Sequence, residues 1–248
     1  MTVPGSAHDD VCHEDLQIMK IGVFGDSFAE HNAREIWWKY LEIDYGHEIE
    51  CFGESGSSIV FSAKKILEKF CNYEMIIWCV TYPRRITVWH RANYKEIAIH
   101  VTGRHHMMHS DPEIQLKINA TEQYLLEAWD EPDGQFVSEC IMEYVKTKVS
   151  NILFVPCFGP PIYNNINESK FDLFTLCQRE TNFYFPNVEL ADLYDNYMDL
   201  RSGHFTDITH KTLASQIAES LRPGVFISNY ESFPAPTTPK DQIFRKKI

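Results

Sequence analysis

Met19 to Phe24 is a short apolar run that stops at Gly25-Asp26-Ser27. Such a run, closed by a glycine, predicts a strand followed by a sharp turn. Ala33 to Leu41 carries apolar residues at helical spacing and predicts a helix. His47 to Phe52 predicts a second strand, and the polar stretch Gly53-Glu54-Ser55-Gly56-Ser57-Ser58 predicts the turn after it. Ile59 to Phe70 then has the pattern of an amphipathic helix, with Ser57 or Ser58 as its N-cap. Met75 to Val80, nearly all apolar, predicts a third strand covered on both sides.

Beyond Pro83 this regularity breaks. Residues 84–120 hold five histidines, little periodicity and an Asp111-Pro112 turn signal, and are expected to form an insertion, either a lid or a partner surface. Thr121 to Trp129 and Phe136 to Lys148 predict helices, with Asp130-Glu131-Pro132-Asp133-Gly134 as a solvated turn between them. Asn151 to Cys157 predicts a fourth strand, Val188 to Leu193 a short fifth, and Thr209 to Leu221 a last helix. Residues 1–17 are expected to be an arm, 18–226 one domain, and the Pro-rich 227–248 an extended tail. Strands alternating with helices predict an α/β fold, a three-layer α/β/α sandwich around a central, mostly parallel sheet of the flavodoxin-like kind. In such sheets ligands bind outside the carboxyl ends of the strands, so the turns after the first three strands are where chemistry is sought.

Composition narrows the function classes. A formal net charge of -12 disfavours binding to nucleic acid or to an anionic membrane, because both demand clustered Lys and Arg. Seven scattered cysteines include no Cys-x-x-Cys pair, and Cys79 and Cys157 lie in apolar runs that suit buried free thiols. With neither a secretory signal pattern nor an apolar run long enough to span a bilayer, the expectation is a soluble, cytoplasmic protein. His105 and His109 have helical spacing, but no Glu follows His105 as the zinc-protease pattern requires, so no metal site is expected. Trp37 and Trp38 are expected in the core rather than as a sugar platform. Cys157 follows a strand, where a nucleophile could sit; its apolar neighbours favour a buried thiol.

The candidate chemistry centres on Ser27. A serine just past a parallel strand stands at the active edge of the sheet, but its hydroxyl is a weak nucleophile until a base takes its proton. His204, in the segment Asp199-Leu200-Arg201-Ser202-Gly203-His204-Phe205-Thr206 before the last helix, can supply that base. Gly56, after the second strand, can point an amide at a developing oxyanion.

A strand ending in Gly-Asp-Ser, a Ser-Gly pair after the second strand, and a late His-Phe-Thr ahead of a helix resemble the SGNH (GDSL-like) hydrolases, in matching order from Lys20 to Leu221. The resemblance implies that Ser27 is the nucleophile, that the amides of Ser27 and Gly56 help form the oxyanion hole, and that His204 is the general base. It implies a structural role for His210. It also implies an esterase or deacylase, acting on a small-molecule ester or an acylated glycan without metal or organic cofactor.

Two positions depart from the family pattern. Val80-Thr81-Tyr82-Pro83-Arg84-Arg85 stands where the family has Gly-x-Asn-Asp, leaving Thr81, Arg84 or Arg85 to replace the oxyanion Asn. Arg201 stands where the family has its acid, leaving Asp199 or a backbone carbonyl to orient His204. These departures support a second expectation: a non-catalytic binding or structural protein that keeps the fold and makes assembly contacts through its insertion and tail. The Asp-x-Arg-x-x-His-Phe-Thr ending resembles SGNH-like proteins encoded by phages, which makes a virion one setting for such an assembly.

Overall fold

Four strands, β1 (Lys20–Phe24), β2 (Glu48–Cys51), β3 (Met75–Val80) and β6 (Ile152–Pro156), form one sheet in the order β2-β1-β3-β6. The computed structural model describes residues 18–30, 36–54, 56–81, 85–90, 95–99, 111–127, 131–157, 173 and 207–221. Every pairing in the four-stranded sheet is parallel: Ile21 lies beside Ile49 on one side and Met75 on the other, and Ile77 lies beside Leu153. The α/β class expected from strands alternating with helices is what the chain adopts, and the sheet expected to be mostly parallel is parallel throughout these four strands. The other strands among the described residues, β4 (Ile86–His90) and β5 (Lys95–Ile99), pair antiparallel as a separate hairpin.

Strand alternation sends side chains to two cores. Ile21, Val23, Ile77 and Val155 pack with Trp37, Trp38 and Leu41 of α1 (Trp37–Ile43) and with Leu213, Ala214 and Ile217 of α5 (Asp207–Ser220). Phe24, Ile76, Trp78 and Val80 pack with Ile59, Ala63 and Ile66 of α2 (Ile59–Lys69) and with Met142 and Val145 of α4 (Glu131–Lys146). Neighbouring residues of β3 thus feed opposite cores, which is why this strand reads as a continuous apolar run. The crossover from β1 to β2, carrying α1, and the one from β2 to β3, carrying α2, take opposite faces because the chain steps outward from β1 to β2 and then reverses past β1 to β3. That reversal makes the gap between β1 and β3 the topological switch point, where open α/β sheets form their crevice.

Several local expectations shift. The helix expected from Ala33 has its N-cap at Ile36, in extended conformation, and begins at Trp37. Within 84–120 the described residues are more regular than their sequence suggests, forming the β4–β5 pair and the start of α3 (Pro112–Glu127). Asp111-Pro112 is a helix start: the Asp111 carboxylate accepts the amides of Glu113 (2.9 Å) and Ile114 (3.4 Å), and Pro112 occupies the first helical position. Glu131 to Gly134, expected in a turn, forms the first turn of α4, where a proline is tolerated because its missing amide has no intrahelical partner to lose. Among the described residues no helix is long and apolar enough to cross a membrane. The arm, the tail and the fifth strand fall outside the described residues.

Candidate active site

β1 leads at the switch point into Gly25-Asp26-Ser27, and the chain bends there into a 3-10 turn over Ser27–Ala29. Gly25 has φ +147, and a Cβ there would lie 2.5 Å from the Cys79 Cβ and 2.6 Å from the Cys79 carbonyl oxygen. Only glycine lets the turn press this closely on the end of β3. Asp26 caps the turn: its Oδ1 accepts the Phe28 amide at 3.0 Å, while the Ala29 amide donates to the Asp26 carbonyl at 2.9 Å. From α1, the buried indole of Trp37 donates to the Phe28 carbonyl at 2.7 Å. Trp37 and Trp38 are therefore core residues, as expected, and Trp37 also holds the serine turn.

The turn after β2 docks against the same backbone. The Gly25 carbonyl accepts the Ser57 hydroxyl at 2.8 Å and the Glu54 amide at 3.1 Å. Gly56 has φ +78, in the left-handed region that favours glycine. Ser58 caps α2 by accepting the Phe61 amide at 3.2 Å. The fold thus brings Ser27 and the Gly56 turn to one edge of the sheet. His204 and Asp199 lie outside the described residues, as do Arg84 and the histidines at 105, 106 and 109. His210, in the first turn of α5, is buried.

Beneath the serine turn lies a polar group that spans the switch point. Asp26 is fully buried, and its Oδ2 accepts the Thr81 hydroxyl at 2.9 Å and forms an ion pair with the Arg85 guanidinium. The same Arg85 nitrogen donates to the Thr81 oxygen at 2.8 Å, closing a triangle of donors and acceptors. Thr81 and Arg85 both lie in the segment that departs from the SGNH pattern after the third strand. The sequence brought them forward as replacements for an oxyanion donor; the geometry ties them to Asp26, on which the sequence placed no role. The available signal was chemical: a carboxylate at the end of a buried strand needs a nearby cation.

The cysteines beside this group are unsuited to nucleophilic chemistry. Cys79 and Cys157 are both fully buried in the core shared by β1, β3 and α5. Burial pushes the Cys157 thiol well above the usual range, with Cys79 and the Asp26 charge adding to the effect and Arg85 opposing it. A thiol held protonated and away from solvent is inert. The Cys51 thiol, which donates to the Ala29 carbonyl at 2.8 Å, is pushed up to about 12, chiefly by burial.

No protein-family model matches the chain, and no curated protein matches it.

Proposed function

We propose that the chain is a serine esterase or deacylase of the SGNH type, acting on an ester of a small molecule or an acylated glycan. One observation carries the reading: Ser27 lies in a capped turn at the carboxyl end of β1, at the switch point of a parallel sheet, with the Gly56 turn docked beside it. In this mechanism the Ser27 hydroxyl attacks the acyl carbon while His204 takes its proton. The amides of Ser27 and Gly56 stabilise the oxyanion, and Asp199 orients His204. Collapse expels the alcohol, which receives the proton from His204. Water, activated by His204, then attacks the acyl-enzyme and releases the acid. The steps require neither metal nor organic cofactor.

A second reading draws on the burial of Ser27, which is only 4% exposed. A nucleophile so covered must be uncovered before a substrate reaches it. If it stays covered, the chain is a binding or structural protein on a hydrolase-like fold, and the insertion and tail supply contacts to a larger assembly, such as a virion.

A fluorophosphonate probe separates the two readings. Under the first, the full chain is labelled, and labelling vanishes in Ser27→Ala and in His204→Ala. A folded wild type that stays unlabelled refutes the esterase and leaves the binding protein.

A further inference from the structure

Asp26 has two connections to the residue beside it. It precedes Ser27 in the chain, and its Oδ1 holds the Phe28 amide, the first donor after Ser27 in the turn. The pitch of that turn, and with it the direction of the Ser27 side chain, depends on where the carboxylate sits. The carboxylate in turn is fixed from across the switch point, where Thr81 and Arg85 both engage Oδ2. Arg85 immediately precedes β4, so the guanidinium that holds Asp26 is rooted in the base of the β4–β5 hairpin. All three side chains are buried: Asp26 and Thr81 fully, Arg85 at 8% exposure.

Folding alone does not call for such a group. Replacing a buried ion pair with apolar residues of similar volume is often neutral or stabilising. A planar guanidinium differs from an apolar plug in fixing the angle of its partner as well as filling space.

We infer that Arg85 is a positioning residue for Ser27, acting through Asp26 and Thr81, so that the aim of the nucleophile is set from the root of the β4–β5 hairpin. The inference rests on the reading of Ser27 as a nucleophile. Arg85 touches no reacting atom in this role; it fixes the turn from which Ser27 attacks. Effective attack is sensitive to displacements of about 1 Å, which can cost a hundredfold in rate.

The test measures the rate constant and the final extent of fluorophosphonate labelling on the full chain, alongside thermal unfolding. The variants are Arg85→Lys, Arg85→Gln and Thr81→Val. Lysine keeps the positive charge and loses the planar fork, so Arg85→Lys is expected to stay folded and to label completely at a rate about tenfold to a hundredfold below wild type. Arg85→Gln is expected to be slower still, and Thr81→Val to fall between Arg85→Lys and wild type. Should Arg85→Gln fail to fold, Arg85→Lys and Thr81→Val decide the matter. A residue needed only for folding gives the opposite signature: a smaller labelled fraction reached at the wild-type rate constant. That signature, or wild-type rates in the folded variants, overturns the role of Arg85 and leaves the esterase reading standing. A folded wild type that is not labelled at all overturns both.

Discussion

At Gly53 an added methyl group would sit 1.5 Å from the carbonyl oxygen of Ala29, inside the parallel bridge between Gly53 and Glu30. The obstacle is backbone, which cannot swing aside as a side-chain tip can. Gly25 meets a similar wall at the end of β3 and has a positive φ as well. Gly46 has φ +73 but nothing within 4 Å of an added Cβ, so alanine there meets only the left-handed conformation. Urea unfolding of the three alanine variants should therefore rank them. Gly53→Ala and Gly25→Ala are each expected to lose about 3 kcal/mol or more from overpacking, and Gly46→Ala about 1 kcal/mol. A loss at Gly53 no larger than that at Gly46 would mean that the Ala29 carbonyl gives way to the added methyl group and that this approach does not govern the serine edge. The glycine before Asp26 was legible in the sequence as a tight turn. The demand at Gly53 was not, because it comes from Ala29, which reaches it only through the pairing of β1 with β2.

Helices and strands were legible where one period held throughout the element. β3 and α2 lie almost where their patterns place them, since the apolar residues that mark them are those that enter the core. The first turns of α3 and α4 were less so, because proline in a first helical turn has the local signature of a loop. At the carboxyl ends of the strands, apolar runs also decide the state of the thiols. Cys79 and Cys157 share the core of β1, β3 and α5, Cys51 at the end of β2 packs against it, and Cys71 and Cys140 are exposed. At pH 8 a thiol reagent should therefore modify Cys71 and Cys140 in the folded chain, and Cys51, Cys79 and Cys157 only after denaturation. Peptide mapping distinguishes the sites. Rapid modification of Cys157 in the native protein would mean that the strand ends open to solvent, and would return that thiol to the list of candidate nucleophiles.

Across the whole molecule, the order of strands determines what the site contains, and no local pattern reports that order. Asp26 and Arg85 lie 59 residues apart, yet they meet because β3 returns beside β1. The serine turn could be seen in advance; its buried support could not. A buried histidine shows the same dependence on long-range packing and makes it measurable. His47 precedes β2, is 3% exposed, and accepts the Met19 amide at 3.3 Å on Nδ1, while its buried Nε2 has no hydrogen-bond partner among the described residues. Burial holds its pKa below the ordinary 6.5. The unfolded chain therefore takes up a proton near pH 6.5 that the folded chain still refuses. The stability supplied by neutral His47 is complete above pH 6.5 and declines as pH falls from there through the lower folded pKa. The net charge of -12 works the other way over the same range, because protonation relieves the chain's self-repulsion. The wild-type curve alone would mix the two effects, but His47→Gln removes only the first. Its melting temperature is expected to fall less than that of wild type between pH 7 and 5, whatever its value at pH 7. Parallel curves would show that the folded chain protonates His47 as readily as the unfolded one, and that the packing between β1 and β2 admits the charge.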